Sequence, residues 1–320
     1  MWAIKGSRLG ILSSNSSSSS LNPNLSGDYS HIDGSGQTIV VIDTGIDLDH
    51  SFFGPDDNND GISDRIIFSK SFNQISNSGD DVDGHRTHVA GITASSDSNY
   101  PVLAPGANII ALDVSKGTPQ STLPYVEEAL SWCIQNLDKY SIDVINMSLG
   151  NPFLFFQTNS SVYLSDFFEY NDEVKVLTDL GVNIVSSSGN NYGLDYPLKD
   201  EHGQFLDYAA YIVTGDGYDN FFYTTVNSQQ GISGPAALPE IISVGSTEYY
   251  DGTISSFSQR DDNLLDVHAP GGHITSAAIG GGITTLSGTS MASPYIAGTV
   301  LLMQQAAEEE LGRKLTTSEI

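Results

Sequence analysis

Thr38-Ile39-Val40-Val41-Ile42-Asp43-Thr44-Gly45-Ile46-Asp47 opens with a β-branched apolar run that stops at a carboxylate. Odd and even positions are both apolar, so the run has no face suited to water. It reads as a strand covered on both sides, as in a parallel sheet between helix layers. Asp43 then stands at the strand's C-terminal end, where open α/β sheets build their sites. Further strands are predicted at 38–43, 108–114, 142–147, 182–187, 241–245 and 264–268, and helices at about 86–95, 123–137, 172–180 and 289–311. Strand and helix alternate, which predicts an α/β fold: a doubly wound, mostly parallel sheet flanked by helices.

A second stretch, Gly288-Thr289-Ser290-Met291-Ala292-Ser293-Pro294, heads the apolar run Tyr295 to Met303. A serine between small residues at a loop-to-helix junction presents its hydroxyl beside unpaired N–H groups. The helix end also carries partial positive charge where an oxyanion would form. Such a serine is inert without a base and a group to orient it. The turn Asp83-Gly84-His85-Arg86-Thr87-His88-Val89-Ala90-Gly91 supplies an imidazole ahead of a helix of small residues. Taken singly, Asp43, His85 and Asn190 read equally well as cap or turn residues. It is their joint occurrence, in the order Asp43, His85, Ser290, that points to nucleophilic catalysis.

These stretches resemble the subtilisin-like serine proteases (subtilases, peptidase S8). The likeness extends to Val144-Ile145-Asn146-Met147-Ser148-Leu149-Gly150, Val185-Ser186-Ser187-Ser188-Gly189-Asn190, Ile241 to Gly245, Ser256-Phe257-Ser258 and Asp266 to Gly271, over roughly residues 35 to 310. It implies a serine endopeptidase with Asp43, His85 and Ser290 as the triad and Asn190 as an oxyanion donor. Ser148, Leu149, Gly150 and Gly189 would bind substrate, whose backbone would pair near Ser148 to Gly150 and the loop Gly117 to Thr122. It implies a secreted, extracellular protein, monomeric, acting on protein or peptide substrates.

Arg86 departs from the pattern, which has glycine after the histidine. A side chain there turns outward to pair with Asp81 or Asp83, or crowds the triad. The outward reading is preferred and predicts that Arg86→Gly keeps or raises activity. The alternative function is a catalytically impaired subtilase-fold binding module, to which Arg86 and the aromatic segments Phe153 to Asp172 and Tyr192 to Gly234 would contribute. The same segments would otherwise wall the substrate cleft.

Composition narrows the rest. With 12 Lys and Arg against 39 Asp and Glu, the formal net charge is −27. Phosphate backbones and anionic membranes need clustered basic residues, so neither is an expected partner. Self-repulsion at low salt predicts that salt or calcium stabilises the fold. Asp56, Asn58, Asp60, Gly61 and Asp64 fall at positions 1, 3, 5, 6 and 9 of a calcium-type loop, but position 12 is Ile67, not glutamate. This predicts a structural Ca²⁺ held by Asp56, Asn58, Asp60 and Asp64. A calcium site of the subtilisins is not carried over, because Phe52 stands where its aspartate would be. Cys133 is the one cysteine and, at helical spacing with Val126, Ala129 and Leu130, reads as a small buried hydrophobe. No stretch suits a membrane span or a signal peptide. Residues 1–34 read as a flexible N-terminal segment, Ser-rich over 13–20, and 35–320 as the peptidase domain, cut at its C-terminus where Thr316 to Glu319 looks like the start of another helix.

Overall fold

A computed structural model describes the backbone of residues 2–4, 9–11, 29–72, 84–100, 102–114, 119–150, 154–156, 170–192, 195–196, 211–213, 226–227 and 231–320. The Ser-rich stretch 13–20, Asp81, Asp83 and most of the two aromatic segments lie outside these residues.

Seven strands form the central sheet: β1 (Thr38–Asp43), β2 (Ile66–Ser71), β3 (Asn108–Asp113), β4 (Ile142–Met147), β5 (Asn183–Ser187), β6 (Ile241–Glu248) and β7 (Val267–Gly272). Their order is β7-β6-β5-β4-β1-β3-β2, and every neighbouring pair is parallel. The chain lays β2 and β3 on one side of β1, then crosses to lay β4 to β7 on the other. The reversal falls beside β1, which places Asp43 at the switch point of the sheet.

The double-sided burial read from β1 is met by two cores. Val40 and Ile42 pack with Ile110, Leu112, Val126, Leu130 and Val174, under helices α2 (Pro119–Tyr140) and α3 (Asn171–Asp179). Ile39 and Val41 pack with Ile109, Ala111, Val89 and Val300, under α1 (His85–Ala94) and α4 (Thr289–Leu311). Strand side chains alternate between faces, so Asp43 and Asp113 continue the α1/α4 face of their strands. Cys133 is buried in the first core, where desolvation pushes its thiol pKa up and keeps it protonated.

Most predicted elements lie within a few residues of their expected bounds, and the departures have local causes. Strand β2 was not foreseen, because its second half, Ser69-Lys70-Ser71, is polar and only partly buried at the sheet edge. Strand β7 starts at Val267 instead of 264, because Asp261 and Asp266 spend their carboxylates on backbone amides: Asp261 accepts from Asn263 and Leu264, and Asp266 from Ser243 at 2.8 Å. Helix α2 opens at Pro119, a residue suited to a first turn, so residues 119–122 of the expected substrate-pairing loop are helical. The expected helix start at Thr316 is a capping box, closed by Glu319 over the short 3₁₀ turn Thr317–Glu319.

Helix α1 is buried from Arg86 to Ala94. A Cβ on Gly91 would come within 2.4 Å of Ser276 Oγ and 3.1 Å of Ala277 Cβ, so glycine lets α1 touch the hairpin of β8 (Ile274–Ala277) and β9 (Ile283–Leu286). His88 fastens that contact: its Nε2 lies 3.0 Å from the Ile274 carbonyl and 3.2 Å from that of Thr284, so Nε2 carries the proton and donates. Burial, ahead of the repulsion from His85, lowers the His88 pKa from 6.5 to about 4. The folded state therefore prefers the neutral ring. Stability from this preference is complete above pH 6.5 and is lost as pH falls toward about 4. Urea unfolding of the wild type and of His88→Gln, which keeps a donor without the titration, should show the steeper loss over this window in the wild type. Parallel losses in the two proteins would remove His88 as a cause.

Candidate active site

Asp43 and Asn190 come from distant parts of the chain and both lie at C-terminal ends of strands of the sheet, Asn190 bonded to Thr289 beside Ser290. Asp43 ends β1 and is buried. His85 is the first residue of α1, with its side chain 33% exposed. Its Nδ1 lies 3.3 Å from Asp43 Oδ1, a contact that favours the tautomer protonated on Nδ1.

Ser290 sits in the first turn of α4, and its hydroxyl donates to the Ser148 carbonyl at 3.4 Å. Among the described residues no hydrogen bond joins Ser290 to His85. Catalytic hydrogen bonds often tighten only when substrate is bound. Pro294 explains much of the surrounding geometry. As residue i it would normally donate to the carbonyl of residue i−4, which is Ser290, but proline has no N–H. The Ser148 hydroxyl takes that place, donating to the Ser290 carbonyl at 2.9 Å. Ser148 Oγ in turn accepts from Asn146 Nδ2 at 2.9 Å, and Asn146 Oδ1 accepts from the Ser293 hydroxyl at 2.7 Å. The end of β4 is thereby tied to the turn that carries the serine.

Asn190 follows β5 and is exposed, as an oxyanion donor needs to be. Its Oδ1 accepts from Thr289 N at 2.8 Å and from Thr289 Oγ1 at 2.9 Å. These two bonds fix the amide by its oxygen and anchor it to the residue before Ser290. Thr289 Oγ1 also accepts from the Gly189 amide at 3.1 Å, so this buried threonine holds both sides of the strand end. Gly189 has φ +108°, and a Cβ there would meet Gln259 Cγ at 3.0 Å, which confines the position to glycine. Leu149 is half-buried against the α2/α3 core, and Gly150 is exposed beside it. Sequence reading missed Thr289, whose only signal was its place directly before Ser290.

Arg86 is not where sequence reading preferred it. It does not turn out to solvent: it is 1% exposed, among the largest fully buried side chains. Its Nε donates to Asp43 Oδ1 at 2.9 Å and its Nη1 to Asp113 Oδ1 at 3.0 Å. Asp43 and Asp113 are register partners on β1 and β3. Side chains at paired positions share a face about 5 Å apart, so two buried carboxylates lie side by side. The guanidinium between them relieves their repulsion. Helix geometry allows this: each residue turns about 100° round the axis, so the residue after a cleft-facing His85 points back over the sheet. Removing Arg86 would leave two buried carboxylates without their cation, so the expectation that Arg86→Gly keeps or raises activity is withdrawn.

The acidic loop lies in one exposed turn. Asp56 Oδ1 and Oδ2 accept from the amides of Asp60 (3.1 Å) and Gly61 (2.9 Å), Asn58 from Asp60 (2.8 Å), Asp60 from Ile62 (2.9 Å) and Asp64 from Asp57 (3.1 Å). Among the described residues, no group of three or more His, Cys, Asp or Glu side chains is placed to hold a metal. Phe52 is buried, stacked on Tyr100 at 5.5 Å between ring centres. No helix of the described residues is long and apolar enough to cross a membrane.

Comparison with known proteins identifies the family. The family model described as "Subtilase family" matches residues 34–320. The intracellular serine protease of Paenibacillus polymyxa is 29% identical over 294 residues, 90% of this chain and 72% of that protein. The major intracellular serine protease of Bacillus subtilis is 29% identical over 289 residues, 88% of this chain and 72% of that protein. A crystal structure of a cold adapted subtilisin-like serine proteinase superposes with a TM-score of 0.55 at 28% identity, covering 86% of this chain and 77% of its own. These relatives correct one expectation. The extracellular location was inferred from the family alone, and two relatives matching most of the chain are named as intracellular enzymes.

The Ser148–Pro294 relationship has a measurable consequence. Ser148→Ala should cost about 1 kcal/mol of stability, the worth of one buried hydrogen bond. In a Pro294→Ala background the helix amide is restored, and the same change should cost much less. A double-mutant cycle by chemical denaturation reads the difference, and additive losses would show that Ser148 does not stand in for the missing amide.

Proposed function

The chain belongs to the subtilase family of hydrolytic serine proteases, and we propose that it cleaves peptide bonds through Asp43, His85 and Ser290. The observation that carries this reading is the 3.3 Å contact of His85 Nδ1 with the buried Asp43, the orientation in which Nε2 is the basic nitrogen of the ring. Ser290 Oγ attacks the scissile carbonyl carbon while its proton passes to His85 Nε2. The carbonyl oxygen becomes an oxyanion held by the Asn190 side-chain amide and the Ser290 backbone N–H. On collapse the C–N bond breaks, His85 returns the proton to the departing amine, and an acyl-enzyme remains. Water then repeats the sequence, with His85 as its base, and releases the acid. Asp43 fixes the imidazole tautomer and stabilises the imidazolium. Ser148, Leu149, Gly150 and Gly189 line the approach, where an extended substrate would add to exposed backbone.

A fluorophosphonate probe should label the protein, and Ser290→Ala should abolish the label. Asn190→Ala should keep the fold and lower kcat by about 10²–10³, equivalent to about 3–4 kcal/mol. Lack of labelling in a folded sample would instead favour the impaired binding module, the reading to which a charged residue on Asp43 lends support.

A structural calcium ion at Asp56, Asn58, Asp60 and Asp64 is the finer part of this proposal. Its support is the alternation of oxygen-bearing side chains around the Gly61 turn. The side chains now bind the loop's own amides, so an ion would have to draw them inward, and no step of the reaction runs through it. Calorimetric titration with Ca²⁺ should give a binding heat that Asp60→Ala loses. Equal heats from both proteins would remove the loop as a site.

A further inference from the structure

We propose that Arg86 is a positioning residue that, together with Asp113, sets the pH range in which His85 can act as base. This rests on the triad reading above and extends it to an ion pair whose arginine departs from the family pattern.

The argument begins with how Asp43 is shared. Its Oδ1 takes the Thr44 amide at 3.1 Å, the Arg86 Nε at 2.9 Å and the His85 Nδ1 at 3.3 Å, while Oδ2 is buried without a hydrogen bond among the described residues. The guanidinium therefore holds the shorter contact to the same oxygen that orients the imidazole. Arg86 also reaches Asp113, whose Oδ2 accepts from the Ser71 hydroxyl at 2.8 Å. Asp43, Arg86 and Asp113 together carry one negative charge, as Asp43 alone would beside a glycine. The distribution differs. The cation lies on the carboxylate that His85 touches, and the compensating anion lies beyond the cation. A buried cation at that position makes protonation of the imidazole less favourable than it would be beside a lone Asp43 partner.

Two other titratable groups near His85, among the described residues, are engaged elsewhere. His88, on the same helix, gives its Nε2–H to the hairpin carbonyls of Ile274 and Thr284. Asp47, in the loop after β1, gives its amide to Thr87 and its carboxylate to the Gly280 amide. Helix α4 presents Ser290, and in sequence Asp80, Asp81 and Asp83 precede His85. Among the described residues, Arg86 is the Lys or Arg side chain that pairs with the Asp43 carboxylate.

The test is the rate of fluorophosphonate labelling as a function of pH, which reads the activated Ser290 without requiring a known substrate. Asp113→Asn removes the distant anion and leaves the cation in place, so the acid limb should move down by about one pH unit. The double change Arg86→Gly with Asp113→Asn removes the pair together, which avoids a stranded buried charge, and should move the limb up by about one unit. Shifts of opposite sign are what a merely structural role would not give. If the wild type labels and both variants keep its pH profile, or both move the same way, the proposal is overturned. If folded wild type labels at no pH, the triad reading itself fails and takes this inference with it.

Discussion

A parallel sheet covered on both faces has few places for charge other than the ends of its strands. That constraint organises this molecule. Strand β1 buries Ile39 and Val41 under one helix layer and Val40 and Ile42 under the other, so its first carboxylate is Asp43, at the C-terminal end. Strand β3 follows the same rule and ends in Asp113, in register with Asp43. The site is where the fold permits polar groups, and the crossover beside β1 opens the space in which α1 and α4 can reach them.

The helices are shaped by what they do at that edge. Helix α1 is buried along nearly its whole length, which its small residues make possible, and His88 locks it to the hairpin. Helix α4 begins at the serine and carries a proline one turn later. The proline frees the Ser290 carbonyl, and Ser148 from the neighbouring strand end claims it. One hydrogen bond thus couples the nucleophile's backbone to the segment proposed to hold substrate. Thr289 does the corresponding work for Asn190. Positioning here comes from neighbours in space more than from the reacting residues themselves.

What could be read from the sequence follows from the range of the interactions. Strand β1 and helix α4 were legible because their burial is written in local hydrophobic pattern. The proposed triad could be named from sequence because three local motifs each carry one member. Strand β2 was not, since its exposed edge leaves it half polar. The start of β7 was misplaced because aspartate side chains competed for backbone amides, a contest that propensity does not register. Thr289 and Ser148 were missed as positioning groups because their partners lie about 100 and 142 residues away along the chain.

Arg86 shows the same limit most clearly. Along the chain its acidic neighbours are Asp81 and Asp83, and pairing with them was the local reading. In the fold it turns from His85 toward the sheet and finds Asp113, 27 residues away, beside Asp43. Breaking a buried ion pair by removing one partner costs about 3–5 kcal/mol, because the other is left charged and desolvated. Arg86 without Asp113 would place an excess cation on the triad carboxylate. Asp113 without Arg86 would place a second anion beside it. Either departure from a lone Asp43 carries a cost by itself, so the two residues form a single structural unit, and an arginine that looks disabling in sequence is half of a compensated pair.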